Sequence, residues 1–257
     1  MSKACIEVDR VSFGYEKQTE ILKEISFRAE ANDSIGLVGA NGVGKSTLLK
    51  LLVGLELNFS GSIRVADMPV QKETLAQIRE KIGYVFQDSD SQLFMSTAYE
   101  DVAFAPRNYG LPESEVEARV AHAMELVGIM HLKNRPTYRM SGGEKKLVSI
   151  ATILSMTPEV ILMDEPSIAL DPRNRRNLIR ILNSFPQLKI IASHDLDMVL
   201  ETCRRTILMA DGRIVCDGKT EDILSNQELL EQCGLELPLC WQRNDRLQKH
   251  CCDSSLI

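Results

Sequence analysis

The run GANGVGKST, residues 39–47, constrains this chain more than any other feature. It follows a short apolar run, SIGLVG (34–39), and opens a helical pattern, KSTLLKLLVG. The spacing is that of a phosphate-binding loop, G-x-x-x-x-G-K-[ST], with Gly39, Gly44, Lys45 and Ser46 in the defining places. Ala40, Asn41, Gly42, Val43 and Thr47 complete the run. Glycines let the backbone wrap a triphosphate so that successive N–H groups point inward, at a helix start that already favours anions. Lys45 is expected on the β and γ phosphates and Ser46 on Mg²⁺. A glycine-rich structural turn has no need of Lys-Ser-Thr at this spacing.

EVILMDEP supplies a second half. Asp164 ends a continuous apolar strand, where an α/β sheet binds its ligand, and can hold Mg²⁺ through water. Glu165 is placed to polarise a water for attack on the γ-phosphate. An acidic pair after a strand is by itself a common helix cap; beside a phosphate loop it reads as chemistry. MSGGEKK (140–146) is a further anion site. Ser141 and Glu144 form an S-x-x-E capping box, and the N–H groups of Gly142 and Gly143 lie bare at the helix start. Two anion sites so far apart in one chain suit a dimer that traps nucleotide between subunits.

Around these motifs the chain alternates strands and helices. IEVDRVSF (6–13) and ISFRA (25–29) read as antiparallel neighbours, and SIRV (62–65) and KIGYVF (81–86) as further strands. EVILMD (159–164) and KIIAS (189–193) are unbroken apolar strands of a buried parallel sheet. Asp171 and Pro172 start a helix between them. Residues 113–127 place Val116, Val120, Ala123, Met124 and Val127 on one stripe. RTILMA and RIVC, joined by Asp211-Gly212, read as a hairpin. The expected fold is α/β with an inserted helical subdomain over about 88–156. A flexible tail is expected from 236 to 257.

Net charge is −6, from 30 basic and 36 acidic residues, which gives no chain-wide field for nucleic acid. No run of about 18 apolar residues is present to cross a bilayer. The cysteines at 5, 203, 216, 233, 240, 251 and 252 form no CxxC pair and read as free thiols in a reducing compartment. His250, Cys251, Cys252 and Cys240 have poor spacing for a structural zinc site.

Taken together, GANGVGKST, MSGGE and ILMDEP resemble the ATP-binding subunits of ABC transporters over about residues 5–235. The resemblance implies a P-loop NTPase of ABC ATPase type, with a mixed sheet core, an antiparallel β subdomain and a helical subdomain. It implies ATP and Mg²⁺ as cofactors, with Ser46, Gln87 and Asp164 toward the metal. Tyr15 would stack on adenine, and Gln87 would sense the γ-phosphate. Ser141, Gly142 and Gly143 would bind the γ-phosphate held by a second ATPase subunit, a homodimer being favoured. Ala169, Leu170 and Asp171 would form the loop crossing between subunits, and His194 in ASHD would be the switch histidine. Met140 stands where Leu is usual, a volume-conserving change. Glu144 stands where Gln is familiar; its charge is expected to be offset by the helix start and by Lys145 and Lys146.

The segment VFQDSDSQLFMSTAYEDVAF (85–104) is unusually apolar for a loop. The family implies a groove here that receives a short helix of a membrane partner. Leu93, Phe94 and Met95 are expected at the groove and Phe104 inside. QDSDSQLFMSTAYEDVAFAPRNYGL (87–111) looks like the ATPases of energy-coupling-factor importers of vitamins, cobalt or nickel. That likeness implies an integral coupling protein, a substrate-binding membrane component and a place on the cytoplasmic face of the cell membrane. The compact length leans toward the cobalt or nickel members. A soluble ABC ATPase acting on ribosomes or nucleic acid is the alternative; it would carry a second cassette, a coiled coil or basic extensions, and none is seen. A non-catalytic nucleotide-binding partner is disfavoured by the intact Glu165 and His194.

Overall fold

The computed structural model describes residues 6–16 and 19–242. Four short strands form an antiparallel sheet in the order β2-β1-β4-β5: β1 (Ile6–Phe13), β2 (Leu22–Ala29), β4 (Ser60–Val65) and β5 (Met68–Pro69). β2 alternates buried and open positions, as a sheet covered on one face requires. The main sheet runs β10-β9-β3-β8-β7-β6, from β3 (Ser34–Val38), β6 (Ile82–Val85), β7 (Val160–Asp164), β8 (Leu188–Ala192), β9 (Arg205–Ala210) and β10 (Arg213–Lys219). Every residue of β3, β7 and β8 is buried, which is why these strands read as unbroken apolar runs. Five strands are parallel, and β10 turns back on β9 through Asp211 and Gly212, both at positive φ.

Two apolar cores cover the main sheet. One joins it to the antiparallel sheet and α1 (Lys45–Leu52); α2 (Leu75–Lys81) adds Ile78 to it. The other joins it to α3 (Ala98–Asn108), α4 (Glu113–Leu126), α5 (Gly142–Leu154), α6 (Pro172–Ser184) and α7 (Leu196–Thr202). The expected stripe Val116, Val120, Ala123, Met124 and Val127 is buried in this second core. Asp171 caps α6 by accepting from Arg173 N and Asn174 N at 2.8 and 2.9 Å. Two short helices, α8 (Thr220–Leu224) and α9 (Gln227–Gln232), follow β10.

Two expectations are corrected. Residues 236–242, assigned to the tail, are docked: Leu237 and Trp241 pack against the second core, and Asp197 accepts from Leu239 N and Cys240 N. Phe104, expected inside, is 41% exposed. α3 buries Ala98, Asp101, Val102, Ala103 and Pro106, and Phe104 lies round the helix from that stripe. Its ring instead meets Phe94 edge-on, with centroids 4.8 Å apart. His250, Cys251 and Cys252 lie outside the described residues. Among those described, Cys203, Cys216, Cys233 and Cys240 are free thiols, no three His, Cys, Asp or Glu side chains gather as a metal-holding group, and no helix is long and apolar enough to cross a membrane.

Candidate active site

The phosphate loop leaves β3 and enters α1 at Gly44, whose φ is +103°. That backbone demands glycine, and a Cβ there would also have to displace the Leu22 side-chain end, 2.6 Å away. Lys45 is 6% exposed, and its Nζ donates to Gly39 O at 2.7 Å and Ala40 O at 3.0 Å. The ammonium is thereby aimed back across the loop it belongs to. Burial lowers its pKa, against the pull of Glu165 and Asp164. Ser46 Oγ donates to Asp164 Oδ1 at 2.9 Å, which joins the loop to the end of β7. Burial pushes the Asp164 carboxyl up, and the Ser46 bond opposes it. Two hard oxygen donors side by side, with a second carboxylate one residue on, are a donor set that suits Mg²⁺.

Glu165 has a φ of +47°, a costly left-handed turn for a non-glycine residue. The turn is held by Glu165 N donating to Ala192 O at 2.9 Å. The residue is 5% exposed, and its carboxylate accepts from Ser193 Oγ (3.2 Å) and His194 N (3.3 Å). His194 Nδ1 lies 2.8 Å from the same Oε2, while the imidazole remains 56% exposed. A buried carboxylate with an imidazole on its open side can orient and deprotonate a water.

Lys45, Ser46, Glu165 and His194 share a cleft of about 530 Å³, lined also by Ile21, Asn41, Gly42, Gly44, Thr47, Gln87 and Ile168; Asp164 is not in its lining and reaches it through Ser46. The sequence-assigned loop, strand-end and switch residues therefore converge. Tyr15 is not among the lining residues; it is 54% exposed and packs edge-on against Phe13. Ser141, Gly142, Gly143 and Glu144 do not line the cleft either. They open α5, where Ser141 accepts from Glu144 N and Glu144 Oε2 accepts from Ser141 N, the full capping box. A Cβ on Gly143 would meet Ala169 O at 2.9 Å, so glycine lets the 168–170 turn close on the helix start.

The charge balance at Glu144 differs from the expectation. Lys145 pairs with Asp90, and Lys146 is 1% exposed and donates to Phe86 O and Gln87 O, so both are engaged elsewhere. Arg135 neutralises Glu144, with Nη1 2.8 Å from Oε1. Arg135 was missed because it comes from a loop 9 residues away in sequence. Lys146 left a signal, since it occupies a core-facing position one turn before Ile150. Asp101 was also missed: 4% exposed, it accepts from Phe94 N and Met95 N and fixes the apolar turn. Of the groove residues, Leu93 packs partly on the second core, Met95 is half-buried, and Phe94 is 66% exposed.

A phosphate loop on a mixed sheet, an acidic pair at the neighbouring strand end and a separate glycine-rich helix start define a P-loop nucleotide hydrolase. The ABC transporter family profile matches residues 22–168. A Geobacter sulfurreducens chain, provisionally named an ABC transporter ATP-binding protein, is 51% identical over 242 residues, 94% of this chain and 97% of that one. The energy-coupling factor transporter ATP-binding protein EcfA of Methanothermobacter thermautotrophicus is 40% identical over 91% of this chain and 76% of its own. Among solved structures, CbiO1 of Clostridium perfringens, part of the ABC transporter complex CbiONQ, superposes with a TM-score of 0.78. It is 35% identical, over 90% of this chain and 94% of that one. The chain belongs to the ABC transporter ATP-binding family and is an ATP-hydrolysing cassette.

Proposed function

We propose that two copies of this chain clamp ATP between them and power an energy-coupling-factor importer from the cytoplasmic face of a membrane. One observation carries the clamp: Ser141, Gly142 and Gly143 form an anion-receptive helix start outside the cleft that holds Lys45 and Ser46. A second copy can bring that turn to the γ-phosphate. Lys45 then holds the phosphates, Ser46, Asp164 and Gln87 hold Mg²⁺, and Tyr15 faces the adenine. The metal supplies charge neutralisation on the phosphates when bound. Glu165 orients the attacking water through the carboxylate whose other contacts are fixed by Ser193 and His194, and His194 stabilises charge as it develops.

The importer reading draws support from the likeness to EcfA and to CbiO1, and from the exposed Phe94. An aromatic pair standing out of a helical region suits the end of an amphipathic helix from an integral coupling protein. A substrate-binding membrane component completes the complex, and the cargo is a vitamin or a metal ion of the cobalt or nickel type. Purification of the tagged chain from its native membranes tests this. Co-purification of an integral coupling protein and a substrate-binding component is expected; recovery free of membrane proteins and bound to ribosomes or nucleic acid contradicts it.

A further inference from the structure

The loop after β6 is strapped to α5 at three points. Lys146 Nζ donates to Phe86 O at 2.9 Å and to Gln87 O at 2.7 Å. Lys145 pairs with Asp90. Gln92 accepts from Phe86 N at 3.1 Å and donates to Ser149 O and Thr152 Oγ1, each at 2.8 Å.

Lys146 stands apart because its side chain is 1% exposed. A desolvated ammonium that hydrogen-bonds two neutral carbonyls, with the Asp164, Asp88 and Glu165 carboxylates attracting it from farther off, is an expensive way to fill a helix face, and an apolar residue of similar volume would fill it without that cost. What an apolar residue lacks is donors. Those of Lys146 grip the two peptides flanking the Gln87 backbone, while the Gln87 residue lines the nucleotide cleft. The helix carrying Lys146 starts at Ser141–Gly143. Loop and helix start are thus one mechanical piece.

We propose that Lys146 is a positioning residue that locks Gln87 to the Ser141–Gly143 turn, so that nucleotide at one composite site sets the geometry of the other. The proposal rests on the clamp described above, in which Gln87 reads the ATP of its own chain and the turn reads the partner's. A shared rigid piece then gives the two sites a coupling free energy that independent loops would lack.

The test uses the full chain with Lys146→Met, which keeps volume and removes donors, and Lys146→Gln, which keeps an N–H donor. Lys146→Met is expected to bind ADP within twofold of wild type and to melt cooperatively. Its kcat should fall at least tenfold, with the Hill coefficient for ATP dropping from above 1 to 1, and Lys146→Gln should regain part of both. Wild-type kcat and Hill coefficient in Lys146→Met overturn the proposal, as does an equal loss in both variants. If Lys146→Met does not fold, the Ser141→Arg protein, kept monomeric, decides. ATP should then change amide exchange in 86–90 and 141–147 together, and a change confined to 86–90 overturns the lock. A Glu165→Gln protein that never dimerises with ATP sinks the clamp itself. If it dimerises and Lys146→Met still behaves as wild type, only the assignment of Lys146 falls.

Discussion

Arg135 and Glu144 face each other across the turn that opens α5, Nη1 2.8 Å from Oε1. Arg135 Nη2 also donates to Arg139 O at 3.1 Å, so the guanidinium is fixed from two sides. The other Glu144 oxygen accepts from Ser141 N at 2.8 Å. That backbone bond, aided by Arg135, holds the carboxyl below its ordinary range. The negative charge beside the turn proposed to receive phosphate is thereby matched within the chain itself.

Arg135→Ala should leave the fold intact and weaken ATP-driven dimerisation about tenfold, roughly 1.4 kcal/mol. Adding Glu144→Gln to that variant should restore most of the loss, since the unmatched charge is then gone. Sedimentation against ATP concentration measures both. An Arg135→Ala defect that persists unchanged in the double variant would mean that the pair is only scaffolding.

His194 touches the Glu165 carboxylate proposed to orient water, and it lines the cleft. His194→Ala should retain ATP binding and lose about 10²-fold or more in kcat, the usual range for a positioned proton-handling group. Phosphate release under saturating ATP reads this directly. Turnover within threefold of wild type would remove His194 from the chemistry.

Phe94 and Phe104 cover one another and little else. An exposed edge-on pair is worth about 0.5–1.5 kcal/mol, so Phe94→Glu should cost little stability and leave the ATPase of the isolated chain within twofold. Docking to the membrane complex should fall at least tenfold, as for an interface anchor. Undiminished co-purification with membrane partners would show that the aromatic pair is not the contact.

Lys189 offers a pH test of the core. It is 6% exposed on β8, and Nζ donates to Leu182 O and Phe185 O, at the end of α6. Burial lowers its ammonium from the ordinary 10.5. Between that lowered native value and 10.5, the unfolded chain binds a proton that the native chain does not. Stability must therefore rise with pH across that window. The unfolding free energy of wild type minus that of Lys189→Met should climb through it and be flat below; a fall with rising pH would contradict the assignment.

Much of this was legible because its causes are local. The phosphate loop announces itself by glycines that its turn requires, β7 and β8 by unbroken apolar runs, and α6 by Asp171 followed by proline. Phe104 was misplaced because an apolar-rich segment does not declare the register of a helix that also contains Pro106. The Arg135–Glu144 pair was invisible for a different reason: it depends on a loop folding back on a helix start. Leu237 and Trp241 lie in a run too short and mixed for periodicity, and only tertiary packing holds them. Lys146 was expected to offset Glu144, although its spacing to Ile150 points inward, where it meets Phe86 O and Gln87 O instead.

The proposed clamp requires two half-sites that meet only between copies. The most direct measurement is the mass in solution of Glu165→Gln with Mg²⁺ and ATP, by light scattering, alone and with Ser141→Arg added. Doubling of the mass with ATP, absent with ADP and abolished by Ser141→Arg while ATP still binds, is the predicted result. A Glu165→Gln protein that stays monomeric with ATP, or hydrolyses it at the wild-type rate, would contradict the account.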